Sequence, residues 1–334
     1  MENYHERSPV GVGSLRMISR LDVKDLFMVW ALTFALVTVS TFGFRYSIVV
    51  SAFVVVNFVG LYYWFAIPIL SAGDHATESF LSSIQVGAHR GCGLDAPENT
   101  IPAFQRSIQL GTNAVEFDLQ LTKDEHVVIF HDDDVSRIQP QGGRISDMTL
   151  DQVQALNVSR MFSEPAEFPT ATIPTFEEAV TTCLDGDAKI FIDVKSCNQK
   201  VLDEILKMYE KYPKLYSMAA VCSFFPQVPY EIKRANNRIL TGHTWRHGFF
   251  AFEDLECSRP RSPDWWVHWL ALALDYVYEW VLDSWLWKFT GANLILAERK
   301  LIAVYVYCGI YCCHFESYRV ISPALAPGRS RPFD

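Results

Sequence analysis

Between residues 26 and 70 the chain carries a single charge, Arg45. An apolar run of that length must be buried in protein or in lipid, which restricts the fold more than any other feature of the sequence. It divides into residues 26–42, a 17-residue stretch, and residues 47–70, a 24-residue stretch. A bilayer core of ~30 Å takes about 20 helical residues. The run therefore reads as a two-helix transmembrane hairpin, with Gly43-Phe44-Arg45-Tyr46 as its turn and Tyr62, Tyr63, Trp64 and Pro68 at the far interface. The expectation is an integral membrane protein, with residues 1–25 as a preceding tail. Its sidedness stays open: Arg7, Arg16, Arg20 and Lys24 favour a cytosolic N-terminus, and Glu2, Glu6, Asp22 and Asp25 dilute that patch. If only one helix crosses, the sequon Asn157-Val158-Ser159 becomes usable for glycosylation.

Composition narrows the classes that remain. The chain has 334 residues, half of them apolar, which excludes a disordered protein. A net charge of −9 argues against a nucleic-acid partner held by phosphate neutralisation. The eight cysteines include no CxxC pair, so neither a disulfide scaffold nor a structural zinc site is expected.

Beyond the apolar run, short apolar segments alternate with amphipathic ones. Strands are expected at 84–89, 114–121, 127–131, 189–195, 219–224 and 239–243. Helices are expected at 100–110, 149–156, 174–184 and 201–212. Strands separated by helices mean parallel βα units. Six such strands with polar C-terminal ends point to a (β/α)8 barrel, with an open doubly wound sheet close behind.

Those strand ends carry the chemistry: His89-Arg90, Glu116 and Asp118, His131-Asp132, Asp193 and Lys195. The two-residue period of a strand puts Glu116 and Asp118 on one face, and Asp193 and Lys195 on one face. Buried carboxylates need a compensating cation. Hard oxygen donors suit Mg²⁺ or Ca²⁺ rather than zinc. Two histidines on separate strands can divide general acid and general base work, and Arg90 and Lys195 can hold an anionic oxygen. Taken singly, each element has a bland explanation: a satisfied structural histidine, a solvated strand face, an internal Asp193–Lys195 pair.

In order, Ala88-His89-Arg90-Gly91, Ala96-Pro97-Glu98-Asn99-Thr100, Glu116-Phe117-Asp118 and His131-Asp132 resemble the glycerophosphodiester phosphodiesterase family. Arg137, Gly142-Gly143, Thr149-Leu150 and Ile192-Asp193-Val194-Lys195 resemble its following segments, and the likeness covers residues 84–300. The apolar N-terminus resembles the membrane-anchored animal members. The resemblance implies a TIM-type barrel that hydrolyses glycerophosphodiesters to glycerol 3-phosphate and an alcohol. It implies Glu116, Asp118 and Asp193 as ligands of the divalent metal, although soluble members often carry Glu where Asp193 stands. It implies His89 and His131 as general acid and base, Arg90 and Lys195 on the substrate phosphate, and Glu98, Asn99 and Asp132 in support.

Two segments depart from that frame. Residues 246–290 form an insertion rich in tryptophan (Trp265, Trp266, Trp269, Trp280, Trp285, Trp287), with Asp275, Glu279 and Asp283 four apart. That spacing gathers the acids on one helix face. A helix lying on lipid fits, as does a helix packed on the barrel; the first would add lysophospholipids to the substrates and membrane lipid to the partners. Residues 301–334 lack the closing strand motif of the family, so the barrel is expected to lack its last βα unit. The alternative is a catalytically impaired protein that keeps the binding half of the barrel.

Overall fold

The computed structural model describes residues 44–68, 71–163, 166–254 and 256–297. They divide into two compact units. One comprises residues 44–65 and 248–286, the other residues 66–247 and 287–297.

The larger unit is an incomplete (β/α) barrel. Six parallel strands run β1 (Gly87–Ala88), β2 (Ala114–Leu121), β4 (Lys189–Val194), β5 (Ala219–Ser223), β6 (Leu240–Trp245) and β7 (Leu294–Ala297) in that spatial order. β3 (Val127–Ile129), expected as one more parallel strand, instead pairs antiparallel with the C-terminal half of β2. The connection Thr122–His126 is too short for a crossover, and only an antiparallel neighbour can be reached across it. β7 was not expected at all, since its four apolar residues give no period to read.

Alternation along the strands builds two cores. Val115, Phe117, Leu119, Ile190, Ile192, Val194 and Val221 face the surrounding helices and are fully buried with them. Ala114, Phe191, Ala220, Cys222, Leu240 and Leu294 face inward. The helices begin where their caps dictate. Thr100 caps Ile101–Gln109 (α3), whose second residue is Pro102, and capping boxes open Leu150–Gln154 (α4) at Thr149 and Phe176–Asp185 (α5) at Thr175. Gln199–Lys211 (α6), Leu215–Met218 (α7) and Gln227–Ala235 (α8) complete the run between β4 and β6. Sequence pattern gives no signal for the helices Leu215–Met218 and Gln227–Ala235, nor for Ser71–Ser82 (α2), which leads Phe80 and Ile84 into the inward core, with the Phe80 ring edge-on to Phe191 at 5.3 Å. α2 thereby stops the mouth of the barrel at the N-terminal ends of the strands, opposite the polar ends.

The membrane expectation is corrected here. Its first helix, residues 26–42, lies outside the described residues. Its turn is helical where it is described, since Phe44–Phe65 is one helix (α1). Its second span breaks after Phe65. The Ile67 N–H donates to the Phe289 carbonyl at 2.9 Å and Asn237 donates to the Pro68 carbonyl at 3.1 Å, so residues 66–68 are fastened to the barrel unit. Among the described residues no helix is long and apolar enough to cross a membrane. The sequon is also spent structurally: Asn157 Oδ1 accepts from Ser159 and Ala171 while its amide donates to Pro169.

In the smaller unit the long helix Trp265–Val281 (α9) runs into a π-helical turn, Leu282–Leu286, where Trp285 meets Tyr62 of α1 edge-on at 6.4 Å. Its acids turn inward. Asp275 is buried and accepts from the Phe250 and Ala251 amides at 2.8 and 3.0 Å. Burial, then Glu279, pushes the Asp283 carboxyl up to about 6. Trp265, Trp266, Trp269 and Leu270 are left on the outside. A short helix, Trp287–Thr290 (α10), returns the chain to the barrel.

One buried group makes the barrel unit sensitive to acid. His243 on β6 is buried with its Nε2 2.8 Å from Thr290 Oγ1, and burial lowers its pKa from 6.5 to about 3. The unfolded chain binds a proton as pH falls through the ordinary histidine range and the folded chain does not. Stability is therefore complete above that range and is lost progressively on acidification. Between pH 7 and pH 5 the loss should be about 2 kcal/mol. Urea unfolding at the two pH values should show it, and His243→Gln should flatten the difference; an equal difference in both proteins would contradict the assignment.

Candidate active site

β2 positions the centre of the site. Its N-terminal residues Ala114 and Val115 pair with β1, and its C-terminal residues Leu119 to Leu121 pair on the same flank with β3. Between them, level with Glu116 and Asp118, lies the 3-10 turn His89–Gly91 that leaves β1. The turn is made by left-handed backbone at Arg90, Gly91 and Cys92. Non-glycine residues in that region cost about 1–3 kcal/mol each and concentrate at functional sites. The turn is held by the Arg90 amide, which donates to Glu116 Oε2 at 3.0 Å. On the other flank the register sets Asp118 directly beside Asp193 of β4.

Glu116, Asp118 and Asp193 each offer an oxygen within 4.8 Å of the others, an arrangement that can hold a metal ion. The donor set is all carboxylate oxygen, which fits Mg²⁺ or Ca²⁺. The electrostatics fit as well. Burial, then Asp118 and Asp193, raises the Glu116 carboxyl well above its ordinary value. Burial raises Asp193 too, against the pull of Lys195. At Asp118 burial works upward, and Lys195, His131 and Arg90 together overcome it and hold the carboxyl below its ordinary value. Three carboxylates in reach of one point, Asp118 and Asp193 buried and Glu116 half-buried, remain short of positive charge, which a divalent ion would supply.

The cations and histidines surround this cluster. Lys195 Nζ lies 2.5 Å from Asp193 Oδ2 and 2.8 Å from Asp118 Oδ1, so the internal pair is real and extends to a second carboxylate. Burial opposes the Lys195 charge, but Asp193 and Asp118 hold its pKa above the usual lysine value. Arg90 Nε lies 3.6 Å from Asp118 Oδ2, and its Nη1 donates to Glu98 at 3.3 Å. Asn99 donates to Asp118 Oδ2 at 2.8 Å. His89 Nε2 is 3.8 Å from Glu116 Oε2. Burial and then Arg90 lower the His89 pKa to about 4, although its side chain keeps 62% of its exposure and water moderates the effect. His131 follows β3, with Nδ1 2.6 Å from Asp132 Oδ1. Burial opposes and hydrogen bonds from His131 and Arg137 prevail, bringing Asp132 down to about 2.

All ten residues singled out in the sequence thus lie in one connected constellation. Two participants were not named there as site residues. Thr244 on β6 donates to Asp193 Oδ1 at 3.4 Å, and a threonine on a strand gives no signal of that. Arg137 bonds both Asp132 and Glu98. The sequence marks Arg137 only as part of the family resemblance, with no role attached.

An incomplete (β/α) barrel with three carboxylates gathered at its strand ends is the class that this fold and site define. Over residues 89–260 the chain matches the Glycerophosphoryl diester phosphodiesterase family, and it belongs to that family. It is 33% identical over 216 residues to Glycerophosphodiester phosphodiesterase 1 of Homo sapiens, and 35% identical over the same length to that of Bos taurus. Each match covers 65% of this chain and 65% of the relative, so the chain spans just under two thirds of the length of these relatives. A solved phosphodiesterase structure from Oleispira antarctica is 24% identical, with a TM-score of 0.48, over 66% of this chain and 76% of its own.

Proposed function

We propose that the chain is a divalent-metal-dependent phosphodiesterase that hydrolyses glycerophosphodiesters to glycerol 3-phosphate and an alcohol. The observation that carries this reading is the convergence of Glu116, Asp118 and Asp193 within 4.8 Å of one another. Two histidines, Arg90 and Lys195 stand around them. Glu116, Asp118 and Asp193 would hold Mg²⁺ or Ca²⁺, which would supply Lewis-acid stabilisation of the charge that develops at the phosphate.

The chain's own residues do the rest. Arg90 and Lys195 neutralise the phosphate oxygens. His89, neutral at physiological pH, takes the proton of the 2-hydroxyl as its oxygen attacks phosphorus. His131, whose cationic form Asp132 can stabilise at Nδ1, gives a proton to the departing alcohol oxygen as its bond to phosphorus breaks. A water then opens the cyclic phosphate with the proton transfers reversed, and each histidine returns to its starting state.

This route requires the 2-hydroxyl. A glycerophosphodiester lacking that group should be cleaved at least about 10²-fold more slowly, the scale of losing an oriented intramolecular nucleophile. Normal turnover of it would exclude the cyclic route. Lysophosphatidylcholine belongs in the same assay, because the outward aromatic face of α9 favours substrates drawn from lipid. The alternative of a barrel that binds without turning over rests on six parallel strands among the described residues where eight close a barrel. A folded, metal-binding protein without activity would favour it.

A further inference from the structure

We propose that Arg137 is a positioning residue that locks His131 and Arg90 into one frame through Asp132 and Glu98. This inference rests on the phosphodiesterase reading and assigns a role inside the same site.

The two groups that Arg137 serves come from separate parts of the chain. Arg90 belongs to the turn after β1, and Glu98 to the loop that precedes α3. His131 and Asp132 belong to the loop after β3. No backbone pairing joins β1 to β3, because each pairs with β2 instead. Side chains make the connection. Asp132 holds His131 Nδ1 with one oxygen, and Arg137 Nε donates to the other. Arg137 Nη2 donates to Glu98 Oε1 at 2.7 Å, and Arg90 Nη1 donates to the same carboxylate at 3.3 Å. One planar guanidinium therefore spans two carboxylates, each of which orients a different proposed functional side chain. A lysine ammonium has no such fork and can satisfy only one of them well.

The support beneath Arg137 is rigid. Ile138 is buried, with its amide donating to the Val135 carbonyl at 2.8 Å. Asp134 ties down both ends of the loop, accepting from the Ser136 amide at 2.7 Å and the Gly143 amide at 2.9 Å. Arg137 thus projects from a fixed base toward partners on mobile-length side chains. Groups that hydrogen-bond to and orient metal ligands typically matter about 10–100-fold when removed, and the same scale is expected for a partner that orients a reacting group.

The two arms have separable consequences. The Asp132 arm acts on proton transfer by His131 and should appear in kcat. The Glu98 arm acts on phosphate binding by Arg90 and should appear chiefly in KM. In the metal-loaded full chain, Arg137→Ala should lower kcat by about 10²-fold and raise KM as well. Arg137→Lys should recover little of either. Asp132→Asn should reproduce the kcat loss without the KM change, and Glu98→Gln the reverse. Adding Arg137→Ala to Asp132→Asn should then change only KM.

A second readout does not depend on turnover. Nitrogen-15 NMR of the His131 ring, recorded at a pH where the ring is neutral, should report Nδ1 as the protonated nitrogen in the wild type, and a mixture of tautomers in Arg137→Ala. Unchanged ring resonances, or kcat losses that multiply in the Asp132→Asn background, would overturn the proposal. If the wild type hydrolyses no glycerophosphodiester, the functional reading fails while the ring spectrum still decides the link between Arg137 and His131.

Discussion

Glu116→Gln should make the metal-free protein more stable and the enzyme inactive. Glu116 sits between two other carboxylates, and burial together with Asp118 and Asp193 disfavours its charge. Glutamine keeps an oxygen to accept from the Arg90 amide, the bond that Glu116 Oε2 makes at 3.0 Å. The substitution removes the repulsion and leaves that contact in place. A gain of about 0.5–2 kcal/mol is expected, roughly 2–6 °C in the unfolding midpoint. Wild-type protein should be stabilised by added Mg²⁺ or Ca²⁺, since a ligand that binds only the folded state adds to stability by mass action. The variant should lose that response and at least about 10²-fold in kcat/KM. Differential scanning with and without metal reads both effects. A variant less stable than wild type in the absence of metal would show that the carboxylate charge is already fully compensated by Lys195 and Arg90.

Gly91→Ala should cost more stability than any other single-methyl addition near the site. Gly91 has φ of +73°, and a Cβ placed there would lie 2.7 Å from Phe104 Cδ1 and 3.0 Å from Ala103 Cβ. Phe104 is fully buried and packs tilted on Phe117 at 5.6 Å, so it has nowhere to go. Left-handed backbone and overpacking together should cost roughly 2–5 kcal/mol. Because Gly91 belongs to the same turn as His89 and Arg90, the strain should also displace both. Activity should fall by about 10²-fold even under conditions where the variant stays folded. A variant with wild-type stability and activity would mean that the turn is not fixed against α3.

The site was more legible in the sequence than the frame around it. Glu116-Phe117-Asp118 was legible because the two-residue period of a strand puts both carboxylates on one face, and the polar strand ends around them made that face the inward one rather than a solvated one. Glu98 and Asn99 came into the site only through the family resemblance, whereas His89-Arg90 was legible as polar residues immediately after an apolar strand. Arg137 was less so, because its role arises from Asp132 and Glu98 converging across separate loops, which spacing does not encode. Strand direction was equally hidden. Val127–Ile129 is too short to carry a directional signal, and only the five-residue connection before it disclosed an antiparallel partner.

The apolar N-terminal run misled, and the insertion stayed open, for a shared reason. Hydropathy shows that a residue avoids water but not what it is buried against. Ile67 is apolar because it packs in the barrel unit, where the Cβ of a residue at Gly291 would touch it. In the insertion the spacing of Asp275, Glu279 and Asp283 gathers the acids on one helix face without saying what that face meets. Asp275 turns inward to accept from the Phe250 and Ala251 amides, and Trp265, Trp266 and Trp269 face out. A carboxylate can serve as a buried acceptor for backbone amides as readily as a surface charge, and helical spacing does not distinguish the two.

The most direct measurement is the release of glycerol 3-phosphate from glycerophosphocholine by the purified chain, titrated with Mg²⁺ and with Ca²⁺, with His89→Ala measured in parallel. Release should depend on the divalent ion, vanish with chelator, and be lost in His89→Ala. A folded protein that binds the ion through Glu116, Asp118 and Asp193 yet releases no glycerol 3-phosphate would contradict the proposed function.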